Sequence, residues 1–358
     1  MKPRIYTTKP TSVRPKRHID AYSGALQELF FIHHPHIKGW GGEADQLFAK
    51  WLKHSRIKKL WIYYPDSSTL VTTVPEEHYF ALRTARNRNL IAPQEQKAYR
   101  QLCVGIAGLS VGSAILSALV ISGGPQKLKI ADFDTLEITN LNRLHASLLD
   151  IGQPKCDIAA KKVWLLDPFA DIQVFPEGLN VQNIKRFLLG KPRLDVFIDE
   201  MDSIEMKIYA RRLAKKNRIP VLMATDNGDT VVLDVERFDL EPKRKIFHGL
   251  IPNIENINTQ GYTYQQWLSL ATKIVSPKFL TPKMKLSLMA IGKEIPAVPQ
   301  LGTTANVAGA AIGFALRKIA SRHHLPSGRY VISLEHALKD GYALTARQRV
   351  LFKKQFKA

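Results

Sequence analysis

Hydrophobic and polar positions change rhythm twice along this chain. Residues 59–65, KLWIYYP, read as a strand closed by a proline, and residues 67–74, SSTLVTTV, as a partner strand across a short turn. From about residue 99, short apolar runs alternate with longer stretches of helical period. The pattern predicts strands at 102–107, 127–131, 172–175, 194–198, 221–224 and 231–238. It predicts helices at 113–122, 155–166, 181–189 and 205–217. Such alternation argues for right-handed crossovers and a mainly parallel sheet covered on both faces, a doubly wound α/β domain. Residues 241–299 read as proline-punctuated and irregular, and 303–321 as an alanine-rich helix. The expected division is a small N-terminal α+β extension with a basic tail over 1–80, a nucleotide-binding domain over 81–321, and a basic C-terminal tail over 322–358.

Composition narrows the class. Of 358 residues, 45% are hydrophobic and 23% charged, an ordinary globular balance. The best candidate for a membrane span, residues 114–121, is far too short and is interrupted by Ser117. The N-terminal MKPRIYTTKP has no apolar core after its charges, so a cytoplasmic address is expected. Lys and Arg exceed Asp and Glu by 52 − 31 = 21 charges. Residues 1–18 and 341–358 contain Lys and Arg and no acidic residue, so much of that excess sits in the two ends. This field attracts polyanions, and any nucleic-acid binding is expected to be non-specific. Cys103 and Cys156 are too few for a disulfide framework or a four-cysteine zinc site, and no zinc is expected.

The first chemical signal is the turn at Gly108, Ser110 and Gly112, between a strand and an apolar helix. A strand entering a helix through glycines presents unpaired N–H groups and the positive helix end to a phosphate. Asp132 follows 24 residues after Gly108, near the spacing at which an acid meets a ribose hydroxyl. The strict G-x-G-x-x-G is absent, because Ser110 and Ser113 stand at two glycine positions. The same Gly-x-Ser-x-Gly also fits the nucleophile elbow of an α/β-hydrolase, with Asp226 and His248 as the acid and histidine. Further polar groups gather at or just beyond the expected strand ends: Asp132 with Asp134, Asn140 with Asn142 and Arg143, Lys155, and Asp199 with Asp202. Arginine and lysine suit phosphate oxygens, and carboxylates beside phosphates suit magnesium.

The run KIADFDTLEITNLNRL, then GQPK, then DVFIDEMDS, and finally PQLGTTANVAGAAIGFALRKI resembles the ThiF/MoeB/HesA family over roughly residues 82–320. This family is related to the ubiquitin-activating enzymes. The wording of LWIYYP, RNRNLI and GLSVG also resembles a bacterial ThiF-type branch that is sometimes joined to a nitroreductase-like domain. The resemblance implies a Rossmann-like sheet, a homodimer, binding of ATP and magnesium, and adenylation of a carboxylate on a small molecule or a protein C-terminus. Position by position, it makes Gly108, Ser110, Gly112 and Asp134 part of the nucleotide loop and its surroundings, and Asp132 the ribose ligand. Asn140 and Arg143 become polyphosphate binders, Lys155 the lysine on the reacting phosphates, and Asp202 the magnesium-associated carboxylate. Arg88, in RNRN, matches an arginine that in such proteins often reaches the partner subunit's ATP. No cysteine follows Cys156, so a thioester relay is not expected. The alternatives are an RNA-modifying relative similar to the tRNA threonylcarbamoyladenosine dehydratases, or a non-catalytic nucleotide-binding partner subunit.

Overall fold

The computed structural model describes residues 1–37, 39, 41–257, 259, 261–338 and 345–356; part of the expected basic C-terminal tail lies outside them. The chain divides into two compact units, Met1–Lys97 with Ala160–Ala170, and Ala98–Ala159 with Asp171–Ala358.

The first unit contains β1 (Arg4–Tyr6), β2 (Arg17–Asp20), β3 (Leu60–Tyr64) and β4 (Thr69–Thr73), in the order β1-β3-β4-β2. β3 and β4 form the antiparallel pair that the apolar pattern predicts, with Leu60 opposite Thr73. β1 and β2 add to its two sides, antiparallel and parallel respectively. They are three and four residues long and mostly exposed, so they carry no alternation that would reveal them. Helices α1 (Tyr22–His33), α2 (Glu43–Ser55) and α3 (Glu76–Arg83) surround a small core of Leu26, Leu29 and Val74 with Phe48, Trp51 and Tyr79. The 160–170 segment is tied into this unit by an Arg83–Asp167 ion pair of 2.9 Å and by the Tyr79 hydroxyl, which donates to Leu166 O at 2.8 Å.

After α4 (Pro93–Gln101), a seven-stranded sheet organises the second unit. Its strands are β5 (Cys103–Ala107), β6 (Lys127–Ala131), β7 (Asp171–Phe175), β8 (Val196–Asp199), β9 (Val221–Asp226), β10 (Thr230–Glu236) and β11 (Gly328–Ser333), in the order β11-β10-β9-β8-β5-β6-β7. The five from β7 to β9 are parallel, whereas β10 pairs antiparallel with both β9 and β11. Crossovers run through α5 (Val111–Ile121), α6 (Lys155–Leu166), α7 (Ile184–Leu189) and α8 (Ile204–Lys216). The doubly wound α/β fold expected from the alternation is therefore what the chain forms. From β5 the chain winds out to β6 and β7 and then returns to β8 on the other side. This reversal opens a crevice at the carboxyl ends of β5 and β8, where such sheets bind ligands.

All five residues of β5 are buried. A Cβ on Gly105 would stand 2.3 Å from Leu194 Cδ1 and 2.7 Å from the Phe187 ring, so this glycine lets Phe187 of α7 seat on the strand. A buried ionic network ties α8 to the sheet. Arg211 pairs with Asp199 at the end of β8 and with Glu236 of β10 at 2.6 Å, and its guanidinium lies 4.1 Å from the centre of the Phe247 ring. Removing one partner from such a network leaves a buried charge uncompensated, which typically costs about 3–5 kcal/mol.

Two expectations need correction. The 241–299 region is less irregular than its prolines suggest, since it forms α9 (Tyr264–Val275) and α10 (Pro282–Ala290) before α11 (Gly302–Ala320). The stretch read as a C-terminal tail supplies strand β11, and also α12 (Leu334–Ala337) and α13 (Ala346–Phe356).

Candidate active site

The loop after β5 is built around Gly108, whose φ of +87° strains any other residue; a Cβ there would fall 2.2 Å from Glu200 O. Its N–H donates to Ala131 O at 2.8 Å, which binds the loop to the end of β6. The next N–H, that of Leu109, donates to Asp132 Oδ2 at 2.6 Å, and the other oxygen of Asp132 accepts the Asp134 N–H at 2.8 Å. Burial raises the pKa of Asp132, while these two N–H bonds and Lys155 oppose the shift. Lys155 opens α6. Its N–H donates to Asp134 O at 2.9 Å, and its buried ammonium pairs with Asp134 Oδ2 at 2.6 Å. Gly108, Asp132, Asp134 and Lys155 thus form one constellation, with Gly112 nearby in the first turn of α5.

A second constellation joins two helix starts. Neither Ser110, the N-cap of α5, nor Leu301, the N-cap of α11, makes a side-chain capping bond, so both helices present first-turn N–H groups without a capping side chain. Ser110 Oγ lies 3.4 Å from Gln300 Oε1, and Asn142 Nδ2 donates to Gln300 O at 2.8 Å. Arg143 Nε donates to Ser110 Oγ at 2.7 Å, and Nη1 to Asn142 Oδ1 at 2.9 Å and Thr139 O at 3.2 Å. Two positive helix ends and a guanidinium at one place make a site for a polyanion.

The remaining sequence candidates are distributed as follows. Asn140 is buried, and its Oδ1 accepts the Glu137 N–H at 3.1 Å, a bond that builds the turn before Arg143. Asp202 is exposed just beyond β8. Ser203 caps α8 instead, accepting from Met206 N–H at 3.3 Å, and Asp202 lies close enough to Arg143 to favour its charge. Arg88 belongs to the first unit, where it is exposed and helps to lower the pKa of His33, a shift caused first by burial. Sequence reasoning does not single out Gln300, although it lies in a recognisable motif, because nothing in the spacing says that it bridges to Ser110 and Asn142.

The hydrolase geometry fails. Ser110 has φ −68° and packs against arginine, not histidine. The histidine of that reading, His248, is 2.5 Å from Asp234 rather than paired with Asp226, and its Nδ1 is taken by Arg244 at 2.6 Å. Both thiols are buried as well. Burial pushes Cys103 up to about 11 and Cys156 up to about 12, the opposite of the lowered pKa that a helix start alone would suggest for Cys156. Among the described residues, no group of three or more His, Cys, Asp or Glu is arranged to hold a metal ion, and no helix is long and apolar enough to cross a membrane.

A doubly wound sheet with a polyanion site at its switch point defines a nucleotide-binding α/β protein. The chain belongs to the ThiF family, which residues 84–336 match, and that family comprises adenylyltransferases. It is 36% identical over 280 residues to an uncharacterized protein, MT1398, of Mycobacterium tuberculosis (strain CDC 1551 / Oshkosh), covering 78% of this chain and 38% of that protein. It is 25% identical over 216 residues to the tRNA threonylcarbamoyladenosine dehydratase of Haemophilus influenzae, covering 59% of this chain and 76% of the relative. A probable molybdopterin-synthase adenylyltransferase of Porphyra purpurea is 31% identical over 198 residues, covering 52% of this chain and 48% of that protein. The chain therefore spans well under half the length of the mycobacterial relative.

Proposed function

We propose that this protein is an ATP-dependent adenylyltransferase that activates a substrate carboxylate as an acyl-adenylate and releases pyrophosphate. The observation that carries the reading is the meeting of two uncapped helix starts with Arg143 at the switch point of the sheet. A substrate carboxylate is already ionised near pH 7 and attacks the α-phosphorus without a base. What opposes the reaction is charge repulsion and misalignment, so the protein's work is electrostatic and positional.

In this reading Asp132 holds the ribose hydroxyl with the lone pairs that its two N–H bonds leave over. Lys155 leaves Asp134 for the phosphates, and Arg143 turns its fork toward the departing pyrophosphate. Magnesium, when bound, offsets phosphate charge, and exposed Asp202 would supply its protein oxygen; one carboxylate with phosphates and water is an ordinary donor set for this ion. The substrate is a carboxylate on a small molecule or a protein C-terminus. A two-fold dimer brings Arg88 to the partner's nucleotide, and the reaction uses no thioester on this chain. The similarity to a tRNA threonylcarbamoyladenosine dehydratase favours a second reading, activation of a carboxylate carried on RNA.

The test is ATP–pyrophosphate exchange driven by a panel of carboxylates: amino acids, peptides with free C-termini, and modified tRNA. Lys155→Ala and Asp202→Ala should each lower exchange by at least about 10²-fold, equivalent to about 2.7 kcal/mol of transition-state stabilisation. Wild-type exchange rates in both variants would refute the assignment. ATP binding without exchange for any carboxylate would favour a non-catalytic nucleotide-binding subunit.

A further inference from the structure

The carboxyl end of β9 contains a side chain that the scheme above does not use. Asp226 is only 9% exposed, yet neither of its carboxylate oxygens has a hydrogen-bond partner among the described residues. Its neighbour Asn227 is fully engaged, donating to Phe279 O at 2.5 Å and accepting the Thr281 N–H at 3.0 Å, so the end of the strand is firmly held. Across the turn after β9, Thr304 in the first turn of α11 donates to Gly228 O at 2.5 Å. Asp226 therefore lies beside the helix start that helps to form the polyanion site.

Two titratable groups face it. Arg143 attracts it from the turn after β6, and Glu200 lies near it at the end of β8, where burial holds the Glu200 pKa well above the ordinary carboxylate range. Arg143 makes no hydrogen bond to it in this arrangement, its Nε and Nη1 donating to Ser110, Asn142 and Thr139. A buried polar group without a partner is costly and calls for an explanation. An anion beside the Asp226 carboxylate would be repelled, whereas an N–H donor, above all an ammonium, supplies what the carboxylate lacks.

We propose that Asp226 forms the acceptor subsite of this enzyme, receiving the N–H groups of an amine that attacks the acyl-adenylate. The inference rests on the adenylation reading for the electrophile. An amine bound as an ammonium first gives one proton to the Asp226 carboxylate and on to water; its freed nitrogen bonds to the acyl carbon, the carbon–oxygen bond to AMP breaks with its electron pair leaving on AMP, and the second surplus proton leaves nitrogen by the same route. Burial raises the Asp226 pKa to about 7, against the pull of Arg143, which leaves a base poised near neutral pH.

The experiment compares two nucleophiles on one adenylate. With ATP and a carboxylate that supports exchange, hydroxylamine, uncharged at pH 7.5, reports the adenylate as hydroxamate, and glycinamide reports amide formation. In Asp226→Asn the ratio of amide to hydroxamate should fall about 10²-fold, with partial return in Asp226→Glu. An unchanged ratio would overturn the proposal. A parallel arm needs no turnover: glycinamide should raise the melting temperature of the ATP-bound wild type and not that of Asp226→Asn. If no carboxylate gives hydroxamate, the adenylation reading fails by itself and this arm decides the subsite, since equal shifts in both proteins, or none in either, would refute it.

Discussion

Replacing Asp226 by asparagine should stabilise the protein, and by more at high pH. The carboxyl has an ordinary value of 3.8 and is raised to about 7 in the fold, chiefly by burial. The folded state keeps this proton where the unfolded chain has lost it, so folding is increasingly penalised as pH rises from 3.8 towards 7 and the penalty levels off above. At 1.36 kcal/mol per unit, the gap of 7 − 3.8 = 3.2 units amounts to about 4 kcal/mol at pH 8. At pH 5 it amounts to roughly 2 kcal/mol on the same linkage. Asparagine keeps the shape and never ionises, so the difference in unfolding free energy between variant and wild type should grow by about 2–3 kcal/mol between pH 5 and pH 8. Urea denaturation followed by circular dichroism at both pH values measures this growth. A constant difference would show that Asp226 titrates normally, or is paired, in the folded protein, and the argument from an orphan carboxylate would collapse.

Two further outcomes follow from the site. The Cys103→Ala/Cys156→Ala double variant should fold and retain pyrophosphate exchange, because both thiols are buried and protonated; a substrate thioester trapped on wild type and missing from the variant would contradict this. Arg88→Ala and Lys155→Ala proteins, each inactive alone, should regain exchange when their subunits are mixed, because one mixed dimer can assemble one intact site. No recovery after demonstrated subunit exchange would confine Arg88 to its own chain or remove it from catalysis.

The parallel sheet was legible because its central strands β5 and β8 are fully buried apolar runs and helical stretches separate the strands, and α6 occupies the span its pattern predicts. The helices of 241–299 were obscured by prolines, although each start is marked chemically. Thr263 and Gln266 form a capping box on α9, and Thr281 caps α10 with proline in its first turn. The loop after β5, which we propose holds the nucleotide, could be singled out from its glycines and the acid that follows it. The acceptor carboxylate could not be assigned that way, since Asp226 closes an ordinary strand and its isolation arises only when α11 and the Arg143 turn come together from distant parts of the chain.

The burial of Cys156 also makes it a sentinel. Its thiol lies 3.4 Å from Asp132 O, beside the carboxylate that accepts the Leu109 N–H of the loop after β5. A thiol reagent can reach it only in molecules whose loop and first α6 turn have opened, so labelling speed counts those excursions directly. A ligand held by Asp132 should slow that labelling, and the chain's own sulfur would then report occupancy without a turnover assay.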